Sequence, residues 1–342
     1  MTTTSSMQDR LVFLIGPPRS GSTLLMRILN ATSQIYSRPE PHLLTPLAHL
    51  GFWRTVDDAP FDHLQAQMAV RSFVDDLPGG QTNYYTACRA YTDHLYSQML
   101  QTASGQPRYF LDKTPANGLI LPFLTQLYPK AHYIVLTRHP AAIFCSYANS
   151  FFDGDYAAAV KHNPILSRYV PALATFLRDK PAPILHVSYE GLVADPESTL
   201  ASICAFLDIP NEPDAVNYDQ VDVDGKGLGD PIGVGQHSRP VTSSVGKWAA
   251  ELAQSTDKFD VVAKQLAGVD SDDLTVWGYP TQTLWDPMAA VDQAQAAVSK
   301  KTWNRYASRR KLLVWLRRDI HNKWLGRLLK KIRFVCNVLL RG

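Results

Sequence analysis

The chain has 342 residues, of which 45% are hydrophobic and 19% are charged, proportions typical of globular proteins rather than of disordered or fibrous ones. Its four cysteines lie far apart without a CxxC spacing, which argues against a disulfide framework or a structural zinc site and indicates a reducing compartment. The sequence has no apolar stretch long enough to cross a bilayer and no signal-peptide core in its first ten residues. We therefore expect a cytoplasmic protein without a metal site.

The net charge of +3 is unevenly distributed along the chain. Residues 300–342 contain fourteen Lys or Arg and a single acid, Asp319, which gives this tail a net charge of +13. The preceding 299 residues carry 20 basic and 30 acidic side chains, a net charge of −10. Such a separation indicates that the tail has a role distinct from that of the body.

Short apolar runs alternate with helical patterns along most of the chain. The runs predict strands at 11–16, 34–37, 108–112, 132–137 and 183–188, and the patterns predict helices at 22–31, 85–102, 115–127, 140–150, 165–178 and 196–207. Strands separated by helices favour an α/β fold, a parallel sheet of about five strands with helices on both faces. We expect a disordered segment at 1–10, one domain at 11–295 and a basic amphipathic tail at 296–342.

Residues 16–23, GPPRSGST, join the first predicted strand to the first predicted helix. Gly16 and Gly21 have the spacing of the glycines in a P-loop, and Thr23 stands at its Ser/Thr position. This layout aims backbone N–H groups at an anion, although a plain turn is the alternative. Ser22 replaces the lysine that a kinase or ATPase needs, and the cation of the loop is Arg19. The loop therefore predicts binding of a phosphate-like group without ATP hydrolysis.

A second unit of a cation and a hydroxyl follows the strand predicted at 132–137. Arg138 lies at the carboxyl end of that strand, where open α/β sheets bind ligands, and Ser146 follows eight residues later. Taken alone, Arg138 is better explained by an ion pair with a surface carboxylate. Together with the loop at 16–23, the two residues predict a second phosphate pocket.

Four segments, GPPRSGST, TRHPAAIFCSY, VSYEGLVADPESTLASICAFLDIP and TSSVGKW, resemble the PAPS-dependent sulfotransferases, most closely the branch of tyrosylprotein sulfotransferases and related bacterial enzymes. The resemblance extends over about residues 10–250 and implies a P-loop-type fold that uses PAPS, 3′-phosphoadenylyl sulfate, as sulfate donor. It also implies contacts with the 5′-phosphosulfate from Arg19, Ser20, Gly21, Ser22 and Thr23. The 3′-phosphate would be bound by Arg138 and Ser146, with further contacts from Tyr189 and Lys247.

The resemblance also supplies candidate catalytic residues. Glu40 follows the second predicted strand, and its distance along the chain from Arg19 resembles that of the catalytic glutamate in the tyrosylprotein branch, although the Pro-Glu-Pro context differs. His42 is the rival general base, because other branches use a histidine. Lys113 matches a family lysine placed near the bridging oxygen, where it would stabilise the departing PAP. No metal is required if Arg and Lys supply this charge.

We therefore expect sulfuryl transfer from PAPS to the hydroxyl, or less readily the amine, of a small-molecule or lipid acceptor. A nucleotide-kinase-like P-loop enzyme is one alternative, which Ser22 disfavours. A non-catalytic membrane-associated protein that keeps a vestigial nucleotide fold is the other.

The tail repeats an apolar residue every four positions, which forms one stripe on a helix. The members of this stripe are Leu312, Leu316, Ile320, Trp324, Leu328 and Ile332. Basic residues mostly flank or oppose it, as in helices that lie in the headgroup plane of an anionic membrane. The pattern predicts peripheral binding to the inner face of a membrane, with packing on the acidic body as the second interpretation. We do not expect a nucleic-acid partner, because a stripe this apolar does not suit a phosphate backbone.

Overall fold

A computed structural model describes residues 7–49, 63–218 and 238–289, together with Val291, Trp324, Leu328 and Ile332. Within these residues, five strands form one parallel sheet in the order β2-β3-β1-β4-β5. Their bounds are Leu11–Ile15 (β1), Ile35–Pro39 (β2), Tyr109–Lys113 (β3), His132–Thr137 (β4) and Ile184–Ser188 (β5). The predicted five-stranded α/β fold is confirmed, with strand ends within two residues of their predicted positions.

Helices cover both faces of this sheet. Their bounds are Ser22–Asn30 (α1), Leu44–Ala48 (α2), His63–Asp75 (α3), Gly80–Gln101 (α4), Leu121–Leu127 (α5), Pro140–Phe152 (α6), Tyr156–His162 (α7), Ile165–Asp179 (α8), Tyr189–Ala194 (α9), Pro196–Leu207 (α10), Lys247–Ala253 (α11), Thr256–Ala267 (α12), Ser271–Trp277 (α13) and Asp286–Ala289 (α14). The helix predicted at 115–127 is divided into a 3₁₀ turn, Pro115–Leu119, and α5. Pro122 causes this division because it has no N–H to donate to the preceding turn.

The domain begins earlier than the sequence predicts. Met7–Arg10 forms a 3₁₀ turn, whereas disorder was expected through residue 10. The Met7 side chain is buried in the core, and the side-chain carbonyl of Gln8 accepts a hydrogen bond of 3.2 Å from the backbone N–H of Lys130. These contacts fix the turn in front of β1. Residues 1–6 lie outside the described part of the chain.

β1 is the centre of the molecule, and its five side chains are fully buried. Because successive side chains of a strand point to opposite faces, Val12 and Leu14 enter one apolar layer while Leu11, Phe13 and Ile15 enter the other. The first layer includes side chains of α1, α9 and α10, and the second includes those of α4, α5, α6 and α8. Burial on both faces explains why the strands appear in the sequence as continuous apolar runs.

The C-terminal helices fix the turn between β4 and α6. Trp277 donates its indole N–H to the carbonyl of Arg138 at 3.0 Å, and His139 donates from Nε2 to the carbonyl of Leu284 at 2.9 Å. The His139 ring also stacks on Trp248, with the ring centroids 4.0 Å apart. This turn is therefore held by residues more than a hundred positions away along the chain.

The buried imidazole makes stability depend on pH. Burial lowers the pKa of His139 from 6.5 to about 4, so the unfolded chain takes up a proton at this residue below pH 6.5 and the folded chain does so only below about pH 4. The folded state should therefore lose stability as pH falls through this interval, by about 3 kcal/mol from His139.

The variant His139→Gln tests this dependence because the amide can keep the donor to Leu284 without titrating. Denaturant unfolding at pH 7.5 and pH 4.5 should show a smaller acid-side loss of free energy in the variant than in the wild type. Equal losses in the two proteins would contradict the prediction.

Candidate active site

A cavity of about 790 Å³ opens at the carboxyl edge of the sheet. Residues that follow β1, β2, β3, β4 and β5 contribute to its wall, as do residues of α6 and of the 239–251 segment. Ten of the predicted site residues line it: Arg19, Gly21, Ser22, Thr23, Glu40, His42, Arg138, Ser146, Tyr189 and Lys247. The strand order changes direction at β1, the position at which open α/β sheets form a ligand crevice.

The loop between β1 and α1 presents the start of a helix to this cavity. Gly21 precedes α1 with a φ of 99°, and no side chain caps the first turn of the helix. A Cβ atom at Gly21 would lie 2.4 Å from the Tyr189 ring, so only glycine permits both the turn and the close contact. The free N–H groups of this turn can bind an anion. Ser20 is fully buried and does not line the cavity, unlike its neighbours.

Arg138 and Ser146 lie next to this loop rather than in a separate pocket. Arg19 donates from Nε to the Ser146 hydroxyl at 3.0 Å, and Arg138 donates from Nη1 to the Arg19 carbonyl at 3.1 Å. The second guanidinium nitrogen of Arg138 donates to the carbonyl of Ser244 at 3.3 Å. The two predicted phosphate motifs therefore form one continuous surface, which Arg19 bridges.

The charge of Arg138 has no carboxylate partner within ion-pair distance among the described residues. Its hydrogen bonds go to two carbonyls, its guanidinium lies 4.2 Å from the centre of the Tyr189 ring, and its buried Nε has no hydrogen-bond partner. Burial lowers the pKa of Arg138 below its usual value, and the nearby Tyr189 and Glu190 oppose this effect. A bound anion would therefore stabilise the charged guanidinium of Arg138.

Glu40, Lys113 and His42 meet on the other side of the loop. Lys113 donates from Nζ to Glu40 Oε1 at 2.6 Å and to Thr23 Oγ1 at 3.3 Å. His42 Nε2 lies 3.6 Å from the other oxygen of Glu40. Lys113 is 1% exposed and is not part of the cavity wall, so it reaches the site from beneath the two residues that it contacts. It stands between the first turn of α1 and the Glu40 carboxylate.

A model of the sulfotransferase family matches residues 12–213, more than half of the chain. The chain belongs to the sulfotransferase family. Membership agrees with the five-stranded parallel sheet and favours sulfuryl transfer over the kinase-like alternative.

Two curated proteins are similar to parts of this chain. The nodulation protein NoeE of Sinorhizobium fredii is 37% identical over 136 residues, which are 40% of this chain and 30% of NoeE. A putative protein-tyrosine sulfotransferase of Caenorhabditis briggsae is 26% identical over 209 residues, which are 59% of this chain and 66% of that protein. The chain therefore spans less than two thirds of the length of either relative.

Among solved structures, the sulfotransferase domain of the Synechococcus PCC 7002 olefin synthase is similar to this chain. It is 27% identical, with a TM-score of 0.48, and the match covers 76% of this chain and 95% of that domain.

Sequence reasoning missed one cation of the candidate site, Arg239. This residue lines the cavity and forms an ion pair with Glu197 of α10. The region 211–245 appears in the sequence as a loop, and the only local signal was a basic residue eight positions before Lys247. Within the described residues, no group of three or more His, Cys, Asp or Glu side chains could hold a metal ion.

Proposed function

We propose that this chain transfers the sulfuryl group of PAPS to an acceptor hydroxyl and releases PAP. The observation that carries the proposal is the buried guanidinium of Arg138, which lacks a carboxylate within ion-pair distance among the described residues and is connected through Arg19 to Ser146 and to the loop before α1. A donor with phosphate groups at its 3′ and 5′ positions would satisfy both anion sites together. Arg138 and Ser146 would bind the 3′-phosphate, and the loop N–H groups with Thr23 would bind the 5′ end.

PAPS supplies a sulfuryl group attached to a phosphate that leaves as negative charge develops on it. Lys113 lies 3.3 Å from Thr23, so its ammonium can stabilise this charge at the start of α1. Glu40 lies on the acceptor side of Lys113, where its carboxylate can accept the proton of the attacking hydroxyl. His42 contacts the same carboxylate from the solvent side and is the second candidate for this role.

The distribution of charge around the cavity favours an uncharged acceptor. Its described cations, Arg19, Arg138, Arg239 and Lys247, belong to the loop, the second motif and the 239–247 segment. The wall also contains apolar or aromatic residues that carry no positive charge, namely Pro115, Ala116, Phe151 and Tyr169. We infer that the acceptor is a hydroxyl on an apolar body, such as a lipophilic alcohol, rather than an acidic peptide.

The exposure of three described tail residues bears on where the protein encounters its acceptor. Trp324, Leu328 and Ile332 are helical and are 70%, 44% and 49% exposed, so these members of the apolar stripe keep much of their surface accessible. No helix among the described residues is long and apolar enough to span a membrane. We infer that the basic tail binds an anionic membrane surface peripherally.

Arg138→Ala should weaken PAP binding by about tenfold or more, because a charge-assisted hydrogen bond contributes about 1.5–3 kcal/mol. Affinity for 5′-AMP, which lacks the 3′-phosphate, should change far less. Isothermal titration calorimetry measures both ligands. Arg108→Ala is the matched control, because Arg108 contacts Asp208 instead of lining the cavity. Equal losses for PAP and 5′-AMP would contradict the assignment of Arg138 to the 3′-phosphate.

Glu40→Gln should lower kcat by about 10²–10⁴-fold, the usual effect of losing a general base, while PAP affinity stays close to that of the wild type. Sulfation of 2-naphthol with labelled PAPS measures kcat, and PAP titration measures affinity. His42→Ala is the comparison. If Glu40→Gln keeps its kcat and His42→Ala loses it, the base is His42.

Full-length protein should co-sediment with vesicles of phosphatidylcholine and phosphatidylserine, and a chain that ends at Ser299 should not. Binding of the full-length protein should also decrease with salt and with the removal of phosphatidylserine. Sedimentation that is equal for the two chains, or insensitive to the anionic lipid, would exclude the tail as a membrane anchor.

A further inference from the structure

A buried polar cluster lies directly beneath the Lys113–Glu40 pair. At its centre is the fully buried carboxylate of Asp112, the residue before Lys113 on β3. Asp112 accepts hydrogen bonds from Tyr96 Oη at 2.6 Å, Thr114 Oγ1 at 2.7 Å and Asn117 Nδ2 at 3.4 Å. Burial raises the pKa of Asp112, and these three donors oppose that effect. The Asp112 carboxylate therefore has three hydrogen-bond donors that hold it in place, although the buried Oδ1 of Asn117 has no partner.

Thr114 connects this cluster to the loop that carries the candidate bases. Its hydroxyl donates to Asp112, and its oxygen accepts a hydrogen bond of 3.4 Å from the backbone N–H of His42. Because the Asp112 carboxylate can only accept hydrogen bonds, the Thr114 hydroxyl donates its proton to Asp112. The lone pairs of the Thr114 oxygen then accept the backbone N–H of His42. Thr114 is fully buried and does not line the cavity, so it can act on substrate only through other residues.

The loop that Thr114 contacts has a conformation that requires such support. Glu40 has a φ of 36° and His42 a φ of 51°, values that residues other than glycine rarely adopt. Backbone of this kind persists only where the surrounding structure holds it in place. Lys113 contacts the Glu40 side chain, and Thr114 contacts the His42 backbone, so two adjacent residues at the end of β3 secure both strained positions.

We propose that Thr114, fixed by Asp112, is a positioning residue that holds the Glu40–His42 loop so that its base faces the acceptor hydroxyl. This inference rests on the proposed sulfuryl transfer. Lys113 and Thr114 thus have separate tasks, the first with the reacting groups and the second with the backbone that carries the base.

The test compares variants of Thr114 in the full-length protein. Thr114→Val keeps the shape but removes the hydroxyl, and it should lower kcat for 2-naphthol sulfation by about 10–100-fold because a small misplacement of a catalytic group is costly. PAP affinity should change by less than about threefold, since the donor residues are untouched. Thr114→Ser restores the hydroxyl and should restore most of the kcat.

Thr125→Val is the matched control, because it removes a hydroxyl that bonds the Leu121 carbonyl within α5, away from the cavity. It should leave kcat and PAP affinity unchanged. Amide hydrogen exchange should increase across residues 40–43 in Thr114→Val and not in Thr125→Val. Thr114→Ala removes the hydroxyl without adding bulk, and it replaces Thr114→Val if that variant does not fold.

Combination with Glu40→Gln shows whether Thr114 acts through the base. If it does, Thr114→Val should lower kcat by less than about threefold further in the Glu40→Gln background. A multiplicative loss, an unchanged kcat in the single variant, or failure of Thr114→Ser to restore kcat overturns the inference. These results are distinct from failure of the proposed function, in which the wild-type protein would bind no PAP and sulfate no acceptor.

Discussion

Parallel pairing of the five strands is the constraint on which the site depends, because it brings all their carboxyl ends to one edge. Pro39 lies opposite Lys113 in the β2–β3 register, and Thr137 lies opposite Ser188 in the β4–β5 register. The next residues after these positions include Glu40, Arg138 and Tyr189. The Lys113–Glu40 ion pair and the stacking of Arg138 on Tyr189 therefore follow from register. A slip of one residue in either ladder would turn these side chains to the other face.

The two side-chain pairs set up by this register differ in their electrostatics. Lys113 and Glu40 neutralise each other at 2.6 Å, whereas Arg138 faces an aromatic ring and two carbonyls. An anion is therefore stabilised more at Arg138, which has no carboxylate within ion-pair distance among the described residues, than at Lys113. This difference suggests that one pair is suited to bind an anion and the other is suited to transfer a proton. In the proposed function, the 3′-phosphate would bind at the side of the sheet with β4 and β5, and the proton would be transferred at the side with β2 and β3.

The sequence predicts the sheet well because its strands are buried on both faces and appear as apolar runs. The order of strand, loop and helix patterns along the sequence also predicts that Arg138 follows a strand and that Gly21 precedes a helix. The contact of Gly21 with Tyr189, the reach of Lys113 to Thr23 and the Thr114–His42 hydrogen bond depend instead on strand order and register. No local sequence pattern predicts these three contacts, because the two residues of each contact are about 70 to 170 positions apart along the chain.

The C-terminal helices explain why a site built on strand ends is incomplete without the last third of the chain. The family match ends at residue 213, yet Arg239 and Lys247 line the cavity. The Ser244 carbonyl accepts a hydrogen bond from Arg138, and Trp277 holds the Arg138 backbone from the opposite side. The position of Arg138 thus depends on residues from outside the matched region as well as on Arg19 and Tyr189 within it. Because a buried cation binds an anion well only when its geometry is fixed, we expect the proposed donor binding to depend on this packing as well as on the two phosphate motifs.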